Sequence, residues 1–303
     1  MPCRRSVLTF FLASLSWVAA SAFAGAQTPA EKLEVVATFS IVADFVREVG
    51  GDRVALTTLV GPDGDAHVYS PAPGDSRRLA QAKLIVSNGL GLEGWMARLI
   101  KSSGTKAAVV EAAKGVKVRK SDDAHAHGGF DPHAWQDVTK AKIYVATIRD
   151  ALASVDPAGR GLYEANATAY LDALEALDRE VRGAVAAIPP ERRRIITTHD
   201  AFGYFKAAYG LDFVAPQGVS TDAEASAKDV AGIIRQIKAE RIPAVFLENV
   251  SDPRLMDRIA KETGARVGPK LYSDALSGPD GPAGTYIAMV RHNIRAFSDA
   301  LAR

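Results

Sequence analysis

Residues 160–190 read RGLYEANATAYLDALEALDREVRGAVAAIPP, and this stretch decides the architecture. From Arg160 to Ile188 it holds no proline and, beyond its first turn, a single glycine, Gly183. Apolar side chains recur at Leu162, Ala165, Ala169, Tyr170, Ala173, Leu174, Leu177, Val181, Ala184, Val185 and Ile188, the spacing of one helix face. Pro189-Pro190 ends the pattern, because proline has no N–H to donate and its ring clashes with the preceding turn. At 1.5 Å per residue such a helix spans about 43 Å, roughly the diameter of a small domain. It reads as a rigid spine, not a hinge.

On both sides of the spine, strands alternate with helices. Before it, Val35–Phe39, Ala55–Val60, Leu84–Val86 and Ala107–Glu111 read as strands. Ile41, Val42, Phe45, Val46 and Val49 mark a helix stopped by Gly50-Gly51. Asp75 is expected to cap a helix through Gln81, and Lys140–Val155 is a helix closed by Asp156-Pro157. After the spine, strands are expected at Ile195–Thr198, Asp212–Ala215, Ala244–Leu247 and from Arg266-Val267. Helices are expected at Ala201–Tyr209, Ala225–Glu240, Pro253–Thr263 and Ala283–Leu301. Alternation of this kind predicts an α/β fold with two lobes, each a parallel β-sheet flanked by helices, joined by one long rigid α-helix. The expected boundaries are 27–158 for the first lobe, 159–188 for the spine and 189–303 for the second lobe. No sequence repeat relates the halves.

Residues 1–26 read as a cleaved signal peptide. Arg4 and Arg5 form a basic start, Ser6–Ala20 is a short apolar core, and Ala22-Phe23-Ala24 or Ala24-Gly25-Ala26 offers a small-x-small cleavage site. The apolar core is shorter than the roughly 20 residues that a spanning helix needs. Cys3, the single cysteine, precedes that core, so the expectation is an exported chain that is not a lipoprotein. A mature chain without cysteine has imidazole and carboxylate as its metal-binding groups. The charge argues against two partner classes. With 37 basic and 35 acidic residues, and Arg4 and Arg5 removed, the mature chain is neutral, which favours neither nucleic acid nor an anionic membrane surface.

The histidines are His67, His125, His127, His133, His199 and His292. His67 lies in a polar loop after a strand, His133 in a loop leading into a helix, and His199 directly after Ile195-Ile196-Thr197-Thr198. Asp274 follows the last strand region. In open α/β sheets ligands bind beyond the carboxyl ends of the strands, so these four side chains are placed to converge. Imidazole with carboxylate suits zinc or manganese. Each residue also has an ordinary reading as a surface histidine or a helix cap, and on residue chemistry alone both readings stay open.

Six motifs, in order, carry a resemblance. Gly61–Asp75 (GPDGDAHVYSPAPGD), Asp131-Pro132-His133-Ala134-Trp135 and Thr197–Phe205 (TTHDAFGYF) are the first three. Val219–Ser226 (VSTDAEAS), Phe246-Leu247-Glu248-Asn249 and Leu271-Tyr272-Ser273-Asp274 complete the series. From about Lys32 to its end the chain resembles the zinc and manganese solute-binding proteins of ABC importers, most of all the zinc-binding members. The resemblance implies one Zn2+ ion, with Mn2+ the alternative, held between the lobes by His67 and His133 from the first and His199 and Asp274 from the second. It implies a periplasmic monomer that serves an ABC transporter permease, with a zinc metallochaperone as a further partner and no catalytic residue. Manganese-selective relatives often have glutamate where this chain has His199, which leans the reading towards zinc.

Asp65 and Asp200, beside two of the histidines, are candidates to orient the imidazoles as outer acceptors. Ser121–Gly129, with His125 and His127, looks like a shortened form of the His- and Asp-rich loop of zinc members, or is a plain polar loop. His292 reads as structural. The rival function is a zinc hydrolase with Glu248 as its base, although no Gly-x-Ser-x-Gly elbow is present. A surface adhesin has no supporting feature.

Overall fold

The computed structural model describes residues 31–121 and 129–301. The signal-peptide reading of residues 1–26 and the loop histidines His125 and His127 lie outside the described residues.

The first sheet holds β1 (Leu33–Phe39), β2 (Val54–Val60), β3 (Leu84–Ser87) and β4 (Ala108–Glu111), in the order β2-β1-β3-β4. The second holds β5 (Arg194–Ile196), β6 (Asp212–Val214), β7 (Ala244–Val245) and β8 (Arg266–Val267), in the order β6-β5-β7-β8. All pairings are parallel. Both sheets therefore follow one plan: the chain starts in the middle, steps out one way, then crosses back and continues the other way. Central strands buried on both faces must be apolar throughout, and Val35, Val36, Ala37 and Phe39 of β1 are all buried.

Helices α1 (Ser40–Gly50), α2 (Pro73–Gln81), α3 (Met96–Ser103) and α4 (Val138–Val155) belong to the first sheet's lobe. The spine is α5 (Arg160–Ala186), and α6 (Gly203–Tyr209), α7 (Ala227–Glu240), α8 (Pro253–Thr263) and α9 (Tyr286–Leu301) follow it. The spine buries Tyr163, Ala167, Tyr170, Leu174, Leu177, Val181 and Val185, and packs on α1 and α4 from one lobe and α9 from the other. The main core runs unbroken across both lobes. Phe45 of α1 and Tyr286 of α9 pack inside it with tilted rings, 4.8 Å between centroids. A smaller core of Ile196, Val230, Ile233 and Met256 lies under α7 and α8. The spine's start is anchored by Asp156, whose carboxylate accepts from Arg53 Nη2 at 2.8 Å and Tyr163 Oη at 2.6 Å.

Most element boundaries differ by one or two residues from the sequence expectation, and three larger differences have a physical reason. Asp75 sits inside α2 instead of capping it. Pro73 occupies the first turn, where its missing N–H costs nothing, and Asp75 reaches back to accept from the Ala72 N–H at 2.7 Å. Helix α3 was not anticipated, because its eight residues make barely two turns and its four apolar positions, Met96, Ala97, Leu99 and Ile100, are too few to repeat a helix face. Helix α9 begins at Tyr286, not Ala283. Its first free N–H, on Tyr286, donates to Asp44 Oδ2 of α1 at 2.8 Å, a cap supplied from the other lobe.

That cap predicts a pH effect. Burial raises the Asp44 carboxyl from its ordinary 3.8 to about 6, against the opposing pull of the Tyr286 N–H and Arg47. The folded chain thus holds this proton more tightly than the unfolded chain. The resulting stability is complete below pH 3.8 and is lost as the pH rises through about 6. In chemical denaturation across that window, wild type is expected to lose up to about 3 kcal/mol relative to Asp44→Asn. A difference that does not change with pH would remove Asp44 from this role.

Candidate metal centre

Each proposed ligand is set by a different loop at the carboxyl end of a sheet. His67 lies in the loop after β2, where Asp65 Oδ1 accepts from its backbone N–H at 2.9 Å and Trp95 Nε1 donates to the Ala66 carbonyl at 2.8 Å. His133 ends the connection that leaves β4. Asp131 Oδ1 accepts from its N–H at 3.0 Å and lies 2.8 Å from its Nδ1, while Asn88 Nδ2 donates to the Pro132 carbonyl at 3.0 Å. His199 follows β5, the inner strand where the second sheet changes direction. Glu248, beyond the neighbouring β7, accepts from the N–H groups of Thr198 and His199 at 2.8 and 3.0 Å. Its other oxygen stands 2.5 Å from His199 Nδ1, an ion-pair contact without hydrogen-bond alignment. Asp274 follows β8. The carbonyl of Ser273 beside it accepts from Trp135 Nε1 at 2.9 Å and Gln136 Nε2 at 2.8 Å, so the first lobe holds this second-lobe carboxylate in place.

His67, His133, His199 and Asp274 each offer one donor atom within a set whose members all lie within 4.8 Å of one another. His67 Nε2 is 3.3 Å from His133 Nε2 and 3.4 Å from Asp274 Oδ2. His199 Nε2 is 2.9 Å from Asp274 Oδ2, and His133 Nε2 is 3.5 Å from Asp274 Oδ1. A tetrahedron with metal–ligand bonds of about 2.05 Å has edges of about 3.3 Å, and these separations bracket that value. His133, His199 and Asp274 are fully buried and His67 is 6% exposed. Both carboxylate oxygens of Asp274 and the Nε2 of His199 have no aligned hydrogen-bond partner. Leaving a buried carboxylate unsatisfied costs several kcal/mol unless something else meets its charge. His67 Nε2 and His133 Nε2 meet within hydrogen-bond distance, which leaves the Asp274 carboxylate as the group whose charge is unmet.

The electrostatics agree. Burial opposes ionisation of Asp274, yet the His199 and His133 imidazoles hold its carboxyl well below the usual range. Burial likewise disfavours charge on His133, but Asp274 and then Asp131 raise it to about 9. His199 is raised well above its ordinary value, with Glu248 and Asp274 outweighing burial. The cluster is a buried negative potential that attracts protons or a cation.

The imidazoles are oriented by groups other than those expected. Asp65 holds the His67 backbone and Thr221 Oγ1, at 2.7 Å, not a ring. Asp200 makes its hydrogen bond through its own N–H to the Gly218 carbonyl, and His199's ring has no aligned bond to it. Asp131 and Glu248 face the Nδ1 atoms instead. The repeated Asp-x-His in Asp65-Ala66-His67 and Asp131-Pro132-His133 was a usable signal for Asp131. Glu248 reaches His199 from 49 residues away, for which no local signal exists. His292 is apart from the cluster, its Nε2 2.8 Å from the Lys270 carbonyl and its ring against Tyr272.

Two α/β lobes on a rigid spine, with a buried three-imidazole, one-carboxylate cluster between them, define a metal-binding protein of the solute-capturing class. The chain belongs to the family described as zinc-uptake complex component A, periplasmic (ZnuA), whose profile matches residues 35–300. It is 33% identical over 279 residues, 92% of each chain, to the manganese-binding lipoprotein MntA of Halalkalibacterium halodurans. It is 32% identical over 297 residues, 97% of this chain and 95% of the other, to the iron-binding protein YfeA of Yersinia pestis. Among solved structures it matches the periplasmic zinc-binding protein TroA of Treponema pallidum with a TM-score of 0.85 and 34% identity, over 90% of this chain and all of that one. The protein is thus a metal-binding substrate-binding component of an ABC transporter. Members of this family are transport proteins, not enzymes, which removes the hydrolase reading.

One expectation is corrected. The reading of a free periplasmic chain that is not a lipoprotein is overturned by relatives such as MntA that are named as lipoproteins. That reading rested on the position of Cys3 alone, which lies outside the described residues. Among the described residues no helix is long and apolar enough to cross a membrane.

Proposed function

We propose that this chain captures Zn2+ between its lobes, with His67, His133, His199 and Asp274 as ligands, and passes it to an ABC permease. The observation that carries the reading is the set of four buried donor atoms, three imidazole nitrogens and one carboxylate oxygen, all within 4.8 Å of one another, with no aligned hydrogen-bond partner on the carboxylate. Three nitrogens and one oxygen suit zinc, whereas manganese favours more oxygen donors and a higher coordination number. All four ligands come from one chain, so a monomer completes the site. On this reading the division is residues 27–158 for the first lobe, 159–188 for the spine and 189–303 for the second, and the donor class is a zinc metallochaperone. Manganese is the second reading, favoured by the name of MntA.

Affinity alone separates the two poorly, since nitrogen-rich sites bind zinc above manganese in general. Geometry separates them better. The Co2+-loaded chain is expected to show the intense visible absorption of a tetrahedral site, and zinc is expected to displace the cobalt one for one. Weak octahedral-type absorption would overturn the zinc assignment and favour manganese.

A further inference from the structure

Behind His133 the lobes meet at a glycine that backbone geometry does not require. Gly203 opens α6 in the second lobe, and its φ is not in the left-handed region that glycine alone adopts freely. Space is what demands glycine here. A Cβ at this position would lie 2.6 Å from Asp131 Oδ2 and 3.1 Å from Arg119 Nε and Nη2. Asp131 is 3% exposed, and its other oxygen is the one 2.8 Å from His133 Nδ1. The next residue joins the same seam: Tyr204 Oη accepts from the Arg119 N–H at 3.0 Å, and the Arg119 guanidinium lies 5.6 Å from the Tyr204 ring centroid. The Asp131 carboxylate is therefore seated between His133 on one side and, on the other, the bare backbone of the second lobe and the Arg119 guanidinium, whose Nε lies 3.4 Å from Asp131 Oδ2.

We propose that Gly203 is a positioning residue for metal capture, its missing side chain forming the slot that seats Asp131 against His133. Resting on the zinc reading above, this deepens it by naming how the second lobe sets a first-lobe ligand. An acceptor on Nδ1 fixes the tautomer that leaves Nε2 free for the metal. If the lobes move apart, the wall behind Asp131 goes and the orientation of His133 loosens with it. By linkage, metal on His133 tightens the same seam.

The test is a double-mutant cycle on the full chain with zinc as the probe, read by competition with a chromophoric chelator. Gly203→Ala is expected to weaken zinc binding about 10–100-fold, as removal of outer partners of metal-bound histidines does. In an Asp131→Ala background, which removes the 2.6 Å contact and leaves the Arg119 guanidinium, the flexible end of a long side chain, free to give way, the same glycine change is expected to cost less than about twofold. In the zinc-loaded chain the His133 Nδ1–H resonance should shift and exchange faster in Gly203→Ala, which a merely structural change elsewhere would not produce. Equal cost in both backgrounds, or no cost in either, overturns the proposal. If Gly203→Ala alone does not fold, Gly203→Ala with Asp131→Ala should, and failure of that pair to fold also overturns it. Absence of zinc binding by wild type would instead sink the reading on which this rests.

Discussion

His199→Ala is expected to weaken zinc binding by about a hundredfold or more and to reduce the rise in melting temperature that zinc gives the wild-type chain. Four-ligand zinc sites of this kind supply about 10–16 kcal/mol, so one ligand's share is about 3 kcal/mol, or a little over two powers of ten. Thermal stabilisation follows by mass action, since a ligand that binds only the folded chain stabilises it by RT ln(1 + [L]/Kd). His292→Ala is the matched control, because its ring contacts Lys270 and Tyr272 and not the cluster. Competition titration and melting curves with and without zinc read both variants. Full affinity in His199→Ala would remove His199 from the ligand set.

The seam between the lobes is part polar and part apolar. Its polar links include the Asp63 N–H to the Leu276 carbonyl at 2.9 Å, Thr221 Oγ1 to Asp65 Oδ2 at 2.7 Å and Asn249 Nδ2 to Asp63 Oδ1 at 3.0 Å, beside the buried bonds of Trp135 and Gln136 to the Ser273 carbonyl and the part-buried bond of the Arg119 N–H to Tyr204 Oη. Each contributes about 1 kcal/mol net. The apolar seam under the spine, with Phe45, Tyr144, Tyr170 and Tyr286, buries far more, at about 25 cal/mol per Å². The spine and the core beneath it therefore contribute more to holding the lobes together than these polar links do.

What the sequence shows of this molecule divides by range. The spine was legible because a helix face repeats every three to four residues, and Leu174, Leu177 and Val181 declare it within one window. The start of α9 was not, because its cap is Asp44, 242 residues away. Identical strand order in the two sheets was invisible too, since the strands of a parallel sheet are specified by continuous apolar runs and not by particular residues. At the site, the positions after strand ends marked His67, His133, His199 and Asp274 as a set, and the family motifs assigned them together. Their supports were legible only where they were local: Asp131 stands two residues from His133, while Glu248 and Gly203 act across the fold.

Glu248→Gln is expected to weaken zinc binding about 10–100-fold while leaving the stability of the metal-free chain nearly unchanged. The glutamine oxygen still accepts from the Thr198 and His199 N–H groups, which Glu248 Oε1 holds at 2.8 and 3.0 Å. Its NH2 then faces His199 Nδ1, where Glu248 Oε2 stands 2.5 Å away. A donor at that point requires Nδ1 to accept, which moves the imidazole proton to Nε2, the atom assigned to zinc. Metal binding must first reverse that tautomer, so affinity falls without a ligand having been removed. Glu248→Ala separates the two duties of this side chain. It leaves both buried N–H groups without an acceptor, at about 1–3 kcal/mol each, and so lowers the stability of the metal-free chain as well. Urea unfolding of the metal-free variants and zinc competition on the folded ones distinguish the outcomes. Wild-type zinc affinity in Glu248→Gln would show that the carboxylate serves the backbone turn alone and not the tautomer of His199.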